Sequence, residues 1–436
     1  MTTNVLPRKE ALKQLLIFAL PIIFGQLGLM LVGTGDMIIA GRYSRECLAA
    51  IGLAISIANP IQISLLGMQF AISPLLAQKR GNGESIDDYF WTVTLYSFFV
   101  GLVSFVLTYL SIQIVPWLNY GPTLQPIILD YILITSFSSF GLCFYQSSKE
   151  FFQSQEKTLA ANILAMLAVF VNLYFNYSFV YGVYGMPELK EQGLAWASLI
   201  VRMLMATGLF AMTYKYWKSS KKVNWNFMKE LLRLGTPITA SLFFEIMAFC
   251  AVTLFVGKFD AIQTAANNLA LNIGSLSFMI PMSISAAVGV KVGHAYGEKN
   301  YENVRIFSQV SLFASFCFTL MTGLFFYLFP EVVMGLYTDD NLVVDFGKKL
   351  LFWVACFQLF DGAQVTIAGI LRGLSITKAS SLAIFTGYWL IGIPLGYYLG
   401  FFSGLEAQGF WVGLATSLAV VAVMLGMILR KKLNQL

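Results

Sequence analysis

The chain has 436 residues, of which 58% are apolar and 11% are charged, whereas soluble domains carry about a quarter charged residues. This composition excludes an ordinary soluble protein and indicates one that crosses a membrane many times. The formal net charge of +6 then reflects membrane topology and does not indicate nucleic-acid binding.

Hydrophobic runs long enough to cross a bilayer recur along the whole chain. A hydrocarbon core of about 30 Å requires about 20 predominantly apolar residues in a helix. Twelve such spans are predicted: 12–40, 46–76, 90–117, 124–148, 158–183, 193–216, 229–257, 263–290, 305–329, 344–371, 378–402 and 409–430. The sequence therefore predicts an all-α integral membrane protein with twelve transmembrane helices.

The second half of the chain repeats the pattern of the first half at an offset of 216 residues. Leu12–Ile22 aligns with Met228–Ile238, and the same offset pairs Gly41 with Gly257, Gly81 with Gly297 and Gln192 with Gln408. Because six spans per copy is an even number, both copies enter from the same side, and a pseudo-two-fold axis lies along the membrane normal. Two six-helix lobes are predicted, an N-terminal lobe of residues 1–218 and a C-terminal lobe of residues 219–436.

Positive charge is unevenly distributed between the two sides of the predicted topology. The termini and even-numbered loops hold about 21 Lys and Arg residues and the odd-numbered loops about six, whereas acidic residues are nearly balanced. The positive-inside rule therefore predicts that both termini are cytoplasmic, and the expected location is the cell (inner) membrane. The first apolar run is too long for a signal peptide and lacks a cleavage site, so we expect it to stay attached.

Three acidic residues lie deep inside predicted spans: Asp36, Glu245 and Asp361. A charge at that depth costs at least about 2.5 kcal/mol on insertion scales and usually marks an ion, a proton relay or a cationic ligand. Structural pairing with a base is the alternative, but Arg202 is the only base well inside the predicted spans. Arg202 itself has three open roles, namely pairing with an acid, pointing into a cavity, or snorkelling to the interface.

Polar residues in the first half fall at the same predicted depth as Asp36. Asn172 and Asn176 are four residues apart and share one face of the fifth span, and Ser198 lies near the start of the sixth. With Asp36 they would form an all-oxygen shell for a small hard cation, or a polar chain for a proton. Hydrogen bonding between helices is the structural alternative. The pattern predicts coupling-ion residues here, with Na⁺ at Asp36, Asn172 and Asn176 as one form of the site.

In the second half, Glu245 and Asp361 reach a similar depth and could share a proton or hold an organic cation. Nearby aromatic residues could supply apolar and cation–π contacts: Phe243, Phe244, Phe278, Phe357 and Phe360. Because the chain has 38 phenylalanines, packing is the alternative for each. The predicted substrate-binding residues are Asp36, Glu245, Phe278, Phe357 and Asp361.

Reactive side chains give no sign of an enzyme. The single histidine, His294, falls in a predicted turn, and the five cysteines are scattered without metal-binding or disulfide spacing. No GxxxxGK[ST] loop is present, so energy is expected from an ion gradient or a partner. We therefore expect no catalytic residues and no cofactor other than the coupling ion.

Taken together, these motifs resemble the multidrug and toxic compound extrusion (MATE) family, and more closely its bacterial NorM-like branch. The resemblance covers nearly the whole chain. It rests on the order of several short motifs: Pro21, Asp36 and Gly41 as P-x(14)-D-x(4)-G, PLLAQKRGNG at Pro74–Gly83, the paired asparagines, MPELKEQGLAWAS at Met186–Ser198, and LRG at Leu371–Gly373. Two departures are that Phe278 and Phe357 stand where some relatives have tyrosine, and that Ser198 stands where threonine is common.

The resemblance implies a multidrug antiporter that exports amphipathic, often cationic, drugs in exchange for Na⁺ or H⁺ by alternating access. At the positions that match the family's motifs, the resemblance assigns Asp36, Asn172, Asn176 and Ser198 to a first-lobe cation site. It assigns Glu245 and Asp361 to the second-lobe acids. The expected partners are small organic cations and membrane lipids, and the expected state is a monomer. A flippase for a lipid-linked saccharide or cell-wall precursor is the alternative, although such a cavity would need several basic residues for pyrophosphate.

Overall fold

The computed structural model describes residues 5–219 and 222–436, which are helical nearly throughout and contain no β-strand. These ranges form fifteen α-helices: α1 Arg8–Tyr43, α2 Arg45–Gln69, α3 Ile72–Gly81, α4 Phe90–Leu110, α5 Leu124–Ser154, α6 Leu159–Tyr181, α7 Gln192–Met212, α8 Trp225–Val256, α9 Ala261–Gly297, α10 Tyr301–Leu328, α11 Pro330–Gly335, α12 Asn341–Gly373, α13 Lys378–Phe385, α14 Ile393–Phe401 and α15 Glu406–Asn434. A π-helix, Thr386–Gly392, joins α13 to α14.

Within the described ranges, twelve helical segments are long and apolar enough to cross a membrane. Each overlaps one of the predicted spans, so the predicted all-α, twelve-helix membrane fold is confirmed. One span consists of α2 and α3, with a break at Phe70–Ala71. We call the membrane face at which α1 begins the inner face and the opposite one the outer face; α5 therefore runs from outer to inner.

Several helices continue beyond the ends of the predicted spans. His294, which the sequence places in a turn, lies in the last helical part of α9, with its Nδ1 3.4 Å from Glu298 Oε1. At the other end of α9, the Asp260 side chain caps the helix by accepting a hydrogen bond of 2.7 Å from the Gln263 N–H. Hydropathy underestimates the length of these helices, because their final turns are polar but still pack and hydrogen-bond within the protein.

The described residues divide into two compact units. The first-half unit is Leu20–Thr239, and the second-half unit comprises the residues up to Ala19 together with Ala240–Leu436. These limits differ from the predicted lobe boundary at residues 218 and 219, because the first part of α1 groups with the second-half unit and the first part of α8 with the first-half unit. The predicted boundary follows the polar linker, whereas the compact units follow helix packing.

In the first-half unit, α5 packs most extensively against α7, α4 and α2. An aromatic and aliphatic core near the inner face contains Tyr89, Phe90 and Phe227. The Tyr96 hydroxyl donates to the Met68 carbonyl at 2.9 Å, near the break between α2 and α3. The central position of α5 puts its side chains inside the unit along most of the helix.

In the second-half unit, α12 is central and packs against α9, α10 and α15. The helices α14 and α15 approach closely because glycines face each other. A Cβ atom on Gly409 would lie 2.6 Å from the backbone of Leu399 and Gly400. Glycine at this position therefore allows a helix contact that any side chain would prevent.

Candidate functional site

Asp36, near the outer end of α1, is the centre of a buried polar cluster in the first-half unit. Its Oδ1 accepts hydrogen bonds from Asn172 Nδ2 at 3.0 Å and from Asn176 Nδ2 at 2.6 Å. Its Oδ2 accepts one from the Ser198 hydroxyl at 2.8 Å. The Asp36 side chain is only 4% exposed, and its three partners are equally buried. The four residues predicted for the first-lobe cation site are therefore brought together.

Helical spacing and close packing create this cluster. Asn172 and Asn176 share one face of α6, and Asn176 Nδ2 also donates to Asn172 Oδ1 at 3.0 Å. A Cβ on Gly193 of α7 would lie 2.8 Å from the Phe179 carbonyl carbon of α6. This glycine lets the outer ends of α6 and α7 come together, which places Ser198 beside the asparagines.

The polarity of the shell differs from the expected all-oxygen arrangement. Both asparagines turn an amide nitrogen toward Asp36, because a buried carboxylate requires hydrogen-bond donors. Asn172 Oδ1 is occupied by Asn176, whereas Asn176 Oδ1 is buried without a partner among the described residues. Asp36 and Asn176 Oδ1 would be the first ligands of a small cation. The donor set thus fits Na⁺ only in part, and the predicted Na⁺ site stays a prediction.

Arg202 of α7 lies one helical turn beyond Ser198 on the same face. Its Nη1 donates to Gln62 Oε1 at 2.9 Å and to Ser138 Oγ at 2.7 Å. Arg202 also interacts electrostatically with Asp36. Among the three roles left open by the sequence, the structure favours an internal one, because the guanidinium is held by side chains of α2 and α5 and does not snorkel.

The second-half unit contains a second acidic cluster, formed by Glu245 of α8 and Asp361 of α12. Glu245 Oε1 accepts a hydrogen bond from the Tyr388 hydroxyl at 3.2 Å, and Gln364 also interacts with Glu245. Asp361 is 6% exposed and interacts electrostatically with Glu245. Asp361 Oδ1 and Gln364 Oε1 are buried without a hydrogen-bond partner in the described ranges. The two predicted acids thus form one site, which retains unused oxygen ligands.

Tyr388 was not identified from the sequence. It lies in the π-helix, which also directs Trp389 so that its Nε1 donates to the Phe244 carbonyl at 3.0 Å. Single π-turns are frequent at functional sites, and here the turn brings a phenol to the acid. Tyr388 therefore supplies a hydroxyl near the second-half acids, although Phe278 and Phe357 lack one. The local signals were Gly387, Gly392 and Pro394, which weaken regular helix structure.

The predicted aromatic ligands occupy different environments. Phe357 is 5% exposed, and its ring packs 5.9 Å from Phe249 and 5.7 Å from Trp411, measured between centroids. Phe278 is half-buried, whereas Phe243 and Phe360 are exposed. Phe357 thus behaves as a core residue in this conformation, and the substrate-binding roles of these side chains stay predictions.

A buried ionisable pair was also missed. Lys149 and Glu150 of α5 are 2% and 3% exposed. Both lie just beyond residue 148, where the predicted span ends, but α5 continues to Ser154. The expectation that Arg202 is the only base within the spans is therefore wrong. The sequence did contain an indication of this pair. Polar residues recur at helical spacing along α5, and this spacing continues past the end of the apolar run.

The sequence model of the MatE family matches the chain twice, over residues 21–178 and over residues 237–398. The two matches start 216 residues apart, which is the offset of the internal repeat. A relative in Bacillus subtilis (strain 168), named "Probable multidrug resistance protein NorM", is 31% identical over 427 residues, covering 95% of this chain and 94% of the relative. The "Multidrug resistance protein NorM" of Photobacterium profundum is 29% identical over 446 residues, covering 97% and 96%.

Solved structures have the same fold. The eukaryotic MATE transporter AtDTX14 superposes with a TM-score of 0.89 at 20% identity, covering 97% of this chain and 96% of that one. The Vibrio cholerae MATE transporter VcmN in its bent form superposes with a TM-score of 0.86 at 18% identity, and 98% of each chain is covered. Because the family model covers most of the chain and the NorM relatives match nearly end to end, this protein belongs to the MatE family and resembles its NorM multidrug resistance proteins.

Proposed function

We propose that this protein is a secondary active exporter that exchanges Na⁺ or H⁺ for amphipathic, cationic organic compounds by alternating access. The observation that carries the proposal is the environment of Asp36. This carboxylate is buried inside an apolar span, and its three hydrogen-bond partners are all uncharged. A buried charge of this kind is expensive, and a transported cation or proton would neutralise it.

The second acidic cluster supports exchange. Glu245 and Asp361 place two carboxylates in one buried site, and only the uncharged side chains of Tyr388 and Gln364 assist them. Either a coupling ion or an organic cation would relieve the repulsion between the two acids. Because both kinds of cation would compete for the same carboxylates, binding of one would favour release of the other. This competition is the basis of antiport.

The substrate class is supported by two further observations. The exposed Phe243 and Phe360 rings lie next to the acids in sequence and offer apolar and cation–π contacts. Two NorM relatives are named as multidrug resistance proteins. We therefore propose amphipathic organic cations as substrates, and we propose that the chain carries out transport and no enzymatic reaction.

The test is efflux of ethidium from proteoliposomes, driven in separate experiments by a Na⁺ gradient and by a pH gradient. We expect one gradient to drive efflux by the unaltered protein. We expect Asp36→Asn, Glu245→Gln and Asp361→Asn each to reduce the initial rate at least about tenfold, because each removes a charge that the cation must neutralise. Asp339→Asn is the control, since Asp339 is an exposed acid between α11 and α12.

Two results would contradict the proposal. One is efflux at the rate of the unaltered protein in all three charge-removing variants. The other is the absence of efflux under both gradients when the protein is correctly inserted and folded.

A further inference from the structure

A row of buried polar side chains lies between α2–α3 and α5 in the first-half unit. We call it the polar seam; its members are Gln62, Gln69, Ser73, Thr135, Ser138, Gln146 and Glu150. Each of these side chains is at most 4% exposed. Such a row is unusual inside an apolar helix bundle, because every buried polar group must be hydrogen-bonded.

Helix geometry explains why these side chains form a row. Gln62 and Gln69 are seven residues apart and share one face of α2, and Ser73 continues this face beyond the helix break. On α5, the spacing from Thr135 to Glu150 keeps the polar side chains on one face and extends over about 22 Å at 1.5 Å per residue. The seam therefore covers most of a hydrocarbon core of about 30 Å.

The outer end of the seam meets the Asp36 cluster. Gln62 Nε2 donates to the Thr135 carbonyl at 3.3 Å, and Ser138 Oγ donates to the same carbonyl at 2.6 Å. Arg202 is bound to both Gln62 and Ser138 and lies one turn from Ser198, which binds Asp36. Polar groups thus connect Asp36 with the beginning of the seam.

The inner end of the seam is centred on Glu150. Gln146 Nε2 donates to Glu150 Oε1 at 2.8 Å, and the Ser73 hydroxyl donates to Glu150 Oε2. Gln153 Nε2 donates to Ser73 Oγ at 3.2 Å. The neighbouring Lys149 is buried at the same level. A carboxylate and an ammonium group therefore mark the end of the seam toward the inner face.

The middle of the seam contains polar atoms without partners. The Gln69 amide interacts with the Cys143 thiol, and within the described ranges no other group hydrogen-bonds to its oxygen or nitrogen. Ser139 Oγ and Lys149 Nζ have no hydrogen-bond partner in the same ranges. Buried polar groups in this condition usually bind internal water. Water at Gln69 would join the outer and inner parts of the seam.

At the equivalent positions, the second half of the chain keeps only part of the polar seam. At the repeat offset, the positions of Gln62, Thr135 and Ser138 are occupied by Phe278, Leu351 and Val354. The positions of Ser73 and Gln146 are occupied by glycine. The positions of Gln69 and Glu150 are occupied by Ser285 and Thr366, so five of the seven seam positions lose their polar side chain in the second half.

We propose that the polar seam is a hydrated proton path through the first-half unit, leading from Asp36 past Arg202 to Glu150 and Lys149. The inference rests on the proposed function and specifies its coupling ion as H⁺. A proton leaves Asp36, moves through water at Gln69 by exchange of hydrogen bonds, and is accepted by the Glu150 carboxylate before release at the inner face. No other bond changes.

The charges along the seam favour a proton over a metal cation. The titratable groups that face it are Asp36, Tyr131, Arg202, Tyr96, Cys143, Lys149 and Glu150. Positive side chains stand at both ends, and Na⁺, unlike a proton, would have to move past them as a whole ion together with its oxygen ligands. A proton needs only a chain of donors and acceptors.

The experiment replaces Gln69 by a side chain that blocks water and by one that admits it. Gln69→Leu fills the space with apolar atoms, and we expect substrate-coupled proton flux to fall about tenfold or more. Gln69→Ala leaves room for water, and we expect flux near that of the unaltered protein. Flux is measured with pyranine inside proteoliposomes, and ethidium binding to the purified protein is measured by fluorescence polarisation. Ethidium affinity should be unchanged in both variants.

Glu150→Gln is a second variant, because it keeps the shape of the side chain but cannot accept the proton. In this variant we expect substrate-coupled proton flux to be slower than in the unaltered protein. Ethidium affinity should be unchanged, and thermal stability should be near that of the unaltered protein. Equal flux in Gln69→Leu, Glu150→Gln and the unaltered protein would overturn the proton path alone. Coupling to Na⁺ only would overturn the path and leave the exporter intact, whereas failure of both gradients would count against the proposed function itself.

Discussion

Asp36 and Glu245 are held by different numbers of hydrogen-bond donors. Asp36 receives three donors from Asn172, Asn176 and Ser198, whereas Glu245 receives the Tyr388 hydroxyl and contact with Gln364. Donors stabilise an empty, charged carboxylate and so compete with an arriving cation. The two sites are therefore expected to hold their ions with different strengths.

We predict that Tyr388→Phe makes the second-half site hold its coupling ion more tightly. Loss of the hydroxyl removes a hydrogen bond to a charged group, which contributes about 1.5 kcal/mol, so half-maximal efflux should occur at about a tenfold lower ion concentration. The measurement is the initial rate of ethidium efflux from proteoliposomes as a function of the ion that drives it.

The matched control is Tyr397→Phe, because Tyr397 is 42% exposed on α14 and is not part of the acidic cluster. Its ion dependence should equal that of the unaltered protein. The same ion dependence in Tyr388→Phe and Tyr397→Phe would show that the phenol does not act on Glu245.

At the scale of elements, the contact between α5 and α7 depends on one glycine. A Cβ on Gly141 of α5 would lie 2.9 Å from the backbone carbonyl carbon and oxygen of Arg202 in α7. The glycine therefore sets the distance between the helix that carries Ser138 and the helix that carries Arg202. Any side chain at this position would separate the two helices where the Asp36 cluster meets the polar seam.

We predict that Gly141→Ala destabilises the protein by about 1–3 kcal/mol, since the added methyl group overpacks a close helix contact. The measurement is the midpoint of thermal unfolding of the purified protein in detergent, which should fall.

Gly33→Ala is the control for this substitution. Gly33 lies in α1, and a Cβ there would meet no heavy atom within 4 Å. Alanine is the better helix former by up to about 1 kcal/mol, so the unfolding midpoint should stay the same or rise. A midpoint for Gly141→Ala equal to that of Gly33→Ala would contradict the packing argument.

The elements differ in how far the sequence predicts them. Hydropathy locates all twelve spans, and four-residue spacing together with depth identifies the partners of Asp36. Tyr388 was not predictable in this way, because its direction depends on the extra residue of a π-turn. Lys149 and Glu150 were missed because hydropathy ends a span where charges begin, although in the structure α5 continues and the buried side chains of Gln146 and Ser73 hydrogen-bond to Glu150.

At the scale of the whole molecule, the repeat conserves a scaffold and changes what lies inside it. The family model matches both halves at the same offset, and both halves contribute six spans. The acids, however, occupy non-equivalent positions, and five of the seven seam positions of the first half are apolar or glycine in the second half. The two halves therefore share a helix arrangement and differ in the chemistry of their interiors.

We predict that both termini are cytoplasmic, as the distribution of Lys and Arg indicates. Green fluorescent protein fused after Leu436 should fluoresce, because it folds in the cytoplasm and not after export through the general secretory route. Alkaline phosphatase fused at the same position should be inactive.

The control is alkaline phosphatase fused after Gly121, in the loop that precedes α5 at the outer face. This fusion should be active. The reverse pattern, with an active phosphatase at the C-terminus and an inactive one after Gly121, would invert the orientation and with it the direction of the proposed proton path.

The π-helix has a mechanical consequence for the segment from α13 to α14. A π-turn contains one residue more than an α-helical turn, so the residues before and after it are out of phase by about 100° relative to a straight helix. Within the π-helix, Tyr388 and Trp389 contact α8, whereas Gly387 and Gly392 lie against α15. The wider turn therefore lies between two neighbouring helices and contacts both of them through adjacent residues.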